Sequence, residues 1–203
     1  MPYREEVTNL GVTFDTTLSW KQHANSIVRK VFGTRAQARR NFVCLPASIR
    51  LRIVQCLVFP IIDYGSVLFT DMYKETTDKI QKAENACIRF ITNSKRYEHI
   101  TPHYVELGLL KVMERRTLAL ATITWKILKN GSPLYLAEMF NFSARHSNLI
   151  IIPKHRTEKY AKSFCIAASR VFNLMNGFKF LHRQNVITFK NCVKTQLKVG
   201  NCS

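Results

Sequence analysis

Residues 19–42, SWKQHANSIVRKVFGTRAQARRNF, decide the fold. At 3.6 residues per turn Trp20, Ala24, Ile27, Val28, Val31, Ala38 and Phe42 fall on one side, which predicts an amphipathic helix. Ser19 and Gln22 are placed to form a capping box at its start. The opposite side carries Gln22, Ser26, Arg29, Gly33, Gln37 and Arg40, with Arg29 and Arg40 three turns apart and nearly eclipsed. Gly33 between them costs about 1 kcal/mol of helix propensity. On a polar face a glycine lets a partner's backbone come close. Amide, small residue and guanidinium on one stripe suit a sugar–phosphate surface. The alternative is a solvated face with an incidental glycine. Arg35 and Arg39 lie nearer the apolar side, where they can lay their stems along it or pair with a carboxylate.

The same period runs through most of the chain. Pro46 stands at the first turn of a second helix carrying Ile49, Ile53, Val54, Leu57, Val58 and Ile61, which Pro60 should kink or interrupt. A third helix is predicted over 77–92. Thr101-Pro102 opens a short helix that Gly108 closes. A long one over 111–129 ends at Asn130-Gly131, and Ser132-Pro133 starts a short turn. Two more are predicted over 158–176 and 188–199. The run Asn148–Pro153 suits an extended segment better than a helix. The expected fold is all-α, a bundle of about six to eight helices with at most a minor strand near 148–153. Its core should include Trp20, Ile27, Val31, Val54, Leu57, Ile88, Leu118 and Trp125.

The 203 residues suffice for one or two small domains. Lys and Arg number 31 against 13 Asp and Glu, a formal charge of +18. Such a balance calls for a polyanionic partner, nucleic acid first and an anionic membrane surface second. No acid lies between Asp15 and Asp63, a window holding Lys21, Arg29, Lys30, Arg35, Arg39, Arg40, Arg50 and Arg52. Beyond residue 140 the only acid is Glu158. No membrane partner is expected, because the longest apolar stretch, Cys56–Ile62, is short and carries Pro60. The opening MPYREEV has no apolar core, so no secretory signal is expected. Cys44, Cys56, Cys87, Cys165, Cys192 and Cys202 mostly sit in apolar runs without a C-x-x-C pair. They suggest reduced, mostly buried thiols of an intracellular protein, nuclear or cytoplasmic.

Two-metal polymerase or nuclease chemistry needs clustered carboxylates. Asp15, Asp63, Asp71 and Asp78 are dispersed, and there is no glycine-rich phosphate loop. His99 and His103 have a metal-like spacing, but Pro102 lies between them and no third ligand stands at a recognised offset. No catalytic residue, no metal, no cofactor and no small-molecule substrate are expected. Arg115-Arg116 and Lys154-His155-Arg156 are lesser basic clusters, expected to be solvated.

The order of motifs resembles the reverse transcriptases of non-LTR (LINE-type, Jockey-like) retrotransposons. Leu10, Gly11, Asp15, Leu18, Ser19, Trp20 and His23 resemble the segment that leaves the palm domain. Leu45-Pro46, Arg50 or Arg52, Pro60 and Asp63-Tyr64-Gly65 resemble the next block. IQKAENACIRFITN follows, with Glu84 where the family usually has Gln. An Arg-rich helix before Pro133-x-Tyr135-Leu136 and a closing ITFKNCVKTQL complete the order. Phe172 and Met175-Asn176 depart from the usual Leu-Trp-Asn-x-Leu-Pro.

The resemblance implies that the catalytic aspartates lie in a palm N-terminal to everything here. Residues 1–15 would be the palm-exit segment, 16–130 a thumb-like helical domain and 131–203 a basic C-terminal helical region, any boundary falling within 130–157. Family thumbs lay their first helix along the minor groove of primer–template duplex. The expected function is nucleic-acid binding by a reverse-transcriptase fragment, through Gln22, Ser26, Arg29, Gly33, Gln37 and Arg40. Its partners would be DNA, RNA or hybrid duplex and the missing palm. The alternative is a basic helical protein-interaction domain or a relic without function.

Overall fold

Leu10 and Gly11 both take left-handed backbone angles, φ 47° and 79°, and so close a tight two-residue turn. They join strand β1 (Glu6–Asn9) to strand β2 (Val12–Asp15) in an antiparallel hairpin with Asn9 opposite Val12. The sequence reading assigned no strand here. The reason is visible in the burial: β1 is exposed throughout and only Val12 of β2 is buried, so no in–out alternation marks it. A computed structural model describes residues 5–42, 44–143, 149–175 and 185–199. Among these residues the architecture is all-α apart from the hairpin and one isolated bridge. Two compact units divide the chain, Met1–Met113 and Glu114–Ser203. The division falls N-terminal to the 130–157 stretch where the sequence placed a boundary.

In the first unit, helix α1 (Lys21–Phe42) packs along α4 (Lys74–Thr92) and also meets α2 (Ala47–Leu57) and α3 (Phe59–Asp63). Ala24, Ile27, Val31 and Ala38 are buried on its inward side, as the period requires. They meet Val54, Val58, Ile62, Phe69, Ile80, Ala83, Cys87, Ile88 and Ile91 in one core. Pro60 stands at the start of α3, so the expected interruption is real. A short 3-10 turn, Ser66–Leu68, follows Gly65. By length and composition alone Ala47–Leu68 could cross a membrane. It is broken at Val58, however, and Val54, Val58 and Ile62 point into the core.

Leu57 was expected in the core and is 51% exposed. The inward line of α2 and α3 steps by four, Val54–Val58–Ile62, which turns Leu57 outward. Cys56 beside it is exposed too, as is Cys44, and Cys87 is the one buried thiol among those described. The expectation of mostly buried cysteines is therefore corrected. An apolar run in sequence is not an apolar face on a helix. Burial pushes the Cys87 thiol up to about 12. Helix α4 ends where Asn93 turns left-handed, φ 58°. Gly108, at φ 64°, closes α5 (Thr101–Glu106).

The second unit holds most of α6 (Val112–Asn130), then α7 (Leu134–Ala137), α8 (Glu158–Ala161), α9 (Phe164–Leu174) and α10 (Val186–Val199). Trp125 stacks on Phe189, ring centroids 5.8 Å apart, and both are buried. Leu118, expected in the core, is only half-buried, because α6 turns Leu120, Ala121, Thr124 and Trp125 inward instead. Of the extended segment expected near 148–153, Asn148 lies outside the described residues, and the described part forms one isolated bridge, Phe142 to Ile150. Asn173 supplies the rest: its amide donates to the Ile150 carbonyl and accepts from the Ile150 N–H, both at 2.9 Å. The helix expected over 158–176 is two helices, because the chain turns at Lys162 and Ser163. Asn176 and Cys202 lie outside the described residues.

Candidate nucleic-acid interface

Two residues upstream of α1, the backbone is held in place by one carboxylate. Asp15 Oδ1 accepts from the N–H groups of Thr17 and Ser19 at 3.0 and 2.8 Å, and Oδ2 accepts from the Ser19 hydroxyl at 2.7 Å. These bonds, the Ser19 hydroxyl first, hold the Asp15 carboxyl down at about 2. The Ser19 hydroxyl is thus turned to Asp15, in place of the capping box expected with Gln22. Leu18 and Trp20 take positive φ, 51° and 61°, and the chain doubles back into the helix. Trp20 packs between Phe14 and Phe69, and its indole N–H donates to Asp71 at 2.6 Å. Tyr64 donates to the Leu10 carbonyl at 2.7 Å. A Cβ on Gly65, φ 65°, would meet Val12 at 3.4 Å. Leu10, Asp15, Ser19, Trp20, Tyr64 and Gly65, quoted above for scattered motifs, thus converge at one junction that fixes where α1 starts.

Helix α1 presents the stripe in register. Gln22, Arg29, Gly33, Gln37 and Arg40 are exposed and Ser26 is half-buried. Among the described residues neither Arg29 nor Arg40 has an ion pair or hydrogen bond. A Cβ on Gly33 would meet nothing within 4 Å, so no packing inside the unit requires glycine there. Ser26 opens onto a small cleft of about 360 Å³ with Lys30, Tyr64 and His23. The His23 ring is buried, Nδ1 accepting from the Thr13 N–H at 3.3 Å while Nε2 has no partner. Burial, helped by the charge of Lys30, lowers its pKa from the ordinary imidazole value.

A second cationic feature lies on the neighbouring flank of α1. Phe32, Arg35 and Arg39 of α1, Arg50 of α2, Lys82, Arg89 and Phe90 of α4 and Arg96 beyond it line a groove of about 750 Å³. The sequence reading expected Arg35 and Arg39 to lay down their stems or to meet a carboxylate. Among the described residues neither has an ion pair, and the Arg35 Nε is buried without a partner. Lys82 and Arg89 lie in the block IQKAENACIRFITN quoted above, but the sequence gives neither of them, nor Arg96, a binding role. The available signal was the seven-residue step from Lys82 to Arg89, which places both on one side of α4.

The lesser candidates divide. Arg116, expected in a solvated pair, is only 8% exposed, on a side of α6 that is buried. Lys154 and Arg156 are exposed, and Arg170 reaches His155 Nε2 at 3.1 Å. His103 Nδ1 lies 3.6 Å from Glu106, while His99 is exposed. Among the described residues no three His, Cys, Asp or Glu side chains form a group fit to hold a metal ion. No protein-family model, curated protein or solved structure matches the chain.

Proposed function

We propose that the chain is a nucleic-acid-binding module, a thumb-like piece of a non-LTR retrotransposon reverse transcriptase that grips duplex backbone through α1. The observation that carries this reading is the α1 stripe: two nearly eclipsed arginines, without a partner among the described residues, flanking a bare glycine on an exposed helix face. Guanidinium groups would take phosphate oxygens, Gln22, Ser26 and Gln37 would take phosphate and sugar oxygens, and Gly33 would admit the backbone closely. Contacts of this kind position a duplex without reading its sequence. In this proposal the chemistry of nucleotide transfer belongs to a palm outside these residues.

The test is a salt titration of duplex binding. The log of affinity should fall linearly with log salt as counterions are released. Arg29→Ala with Arg40→Ala should lower that slope by about 1 per lost contact and weaken binding alike across sequences. Lys79→Ala is the control, its ammonium already 3.5 Å from Glu75. A double variant that keeps the parent's affinity and slope, with helical circular dichroism unchanged, removes the stripe from the function. A second reading, a helical protein-interaction domain, draws on Ile49, Leu57, Tyr64 and Leu68, each at least 43% exposed along α2 to the 3-10 turn. Duplex affinity that ignores salt and the arginines, together with a protein partner lost on Leu57→Ser, would favour it.

A further inference from the structure

We infer that the groove between α1, α2 and α4 is a binding site for single-stranded nucleic acid, separate from the α1 stripe. Its wall holds six cations, Arg35, Arg39, Arg50, Lys82, Arg89 and Arg96, and no carboxylate. Among the described residues none of the six has an ion-pair partner. Like charges gathered without counter-charges destabilise a surface unless an anion is meant to enter.

Two of the cations are already fixed in position. Arg50 donates from one terminal nitrogen to the Phe90 carbonyl at 2.8 Å and lies over the Phe90 ring, 5.7 Å from its centroid. Arg89 donates to the carbonyls of Lys95 and Glu98, both at 3.2 Å. Their remaining N–H groups therefore meet a ligand with little further loss of side-chain freedom. The Nε atoms of Arg35 and Arg50 are buried and, among the described residues, two donors without an acceptor.

What selects a single strand is the aromatic. Phe32 stands among these cations with 43% of its surface exposed, and Asn85, Asn93 and Ser94 line the same groove. A ring beside a cationic track is the arrangement on which an unpaired base stacks while its phosphates are held. The groove, about 750 Å³, has the volume of a small-molecule pocket and room for a few nucleotides of one strand. The inference shares a ligand class with the proposed function, but none of its residues belongs to the stripe.

Fluorescence anisotropy of the full chain with labelled oligothymidylate tests it, run beside a labelled duplex. Phe32→Ala should weaken oligothymidylate binding about five- to a hundred-fold and leave duplex binding unchanged. Lys82→Ala with Arg96→Ala should lower the single-strand salt slope by about 0.7 for each lost contact. Phe32, Lys82 and Arg96 are exposed, so circular dichroism should show the parent's helix content in every variant. Phe32→Trp should restore binding and show quenching of the introduced indole. Arg29→Ala with Arg40→Ala should weaken the duplex and spare the oligothymidylate, so failure of the stripe and failure of the groove are separate results. Oligothymidylate affinity unmoved by Phe32→Ala overturns the proposal. So does a groove whose cations matter while Phe32 does not, which would make it a general polyanion site for ligands such as inositol phosphates.

Discussion

Along α1, one face carries Ala24, Ile27, Val31 and Ala38 into a sealed core, while the opposite face offers Arg29, Gly33, Gln37 and Arg40 to solvent. The backbone is the same and the chemistry is reversed. The inward face is over-determined, because its side chains share one close-packed core with residues of α2, α3 and α4. The outward face is under-determined by the fold: removing its arginines breaks no ion pair or hydrogen bond among the described residues. Charged side chains on such a face can serve binding at little cost to stability, Gly33 being the exception at about 1 kcal/mol. The two faces should therefore separate cleanly in experiment.

The largest effect belongs inside. Ile27 is 4% exposed, and Ile27→Ala should cost about 2–5 kcal/mol, measured by chemical denaturation. Arg29→Ala with Arg40→Ala should stay within about 0.5 kcal/mol of the parent. A double variant as unstable as Ile27→Ala would break the division, showing that the outward arginines support the fold.

Much of this division was legible in the sequence. A long amphipathic helix declares both faces through its period, and no distant residue is needed to see it. The same holds for the break at Pro60 and the stops at Gly108 and Gly131, where local backbone geometry is set by one or two residues. The hairpin at residues 6–15 was not legible, because its sides are nearly all wet. Leu57 and Leu118 were misassigned because an apolar residue on the margin of a stripe obeys the period without reaching the core. The groove was hidden for another reason. Its cations come from α1, α2, α4 and the chain after α4, and only the packing of α1 on α4 brings Arg35 and Lys82 to one wall.

His23 lies at the border between the faces and gives the comparison a pH axis. Its pKa in the fold lies below the ordinary value near 6.5, because burial and then Lys30 disfavour the cation. The unfolded chain therefore takes up a proton before the folded one does. Stability from this group is complete above about pH 6.5 and is lost as pH falls from there through the folded pKa. His23→Phe keeps a ring against Phe69 and gives up the acceptor for the Thr13 N–H. Its denaturation midpoint should change less than the parent's between pH 7 and pH 5. Equal slopes for the two proteins would place His23 in a more open setting than the inward face.

A single methyl group gives the sharpest test. Gly33 has an ordinary helical backbone, and a Cβ there meets nothing within 4 Å. Gly33→Ala should therefore stabilise the protein by up to about 1 kcal/mol, since alanine removes the entropic cost of glycine in a helix. If the outward face is only a solvated surface, nothing else should happen. If a phosphate backbone comes to rest against it, the new methyl stands where that backbone must approach, and duplex affinity should fall as stability rises. Opposite signs in two measurements on one protein cannot come from unfolding, which would lower both. A rise in stability with unchanged duplex affinity would mean that the ligand never comes close to Gly33. The glycine would then be incidental, and the grip on duplex would have to be sought in the arginines alone.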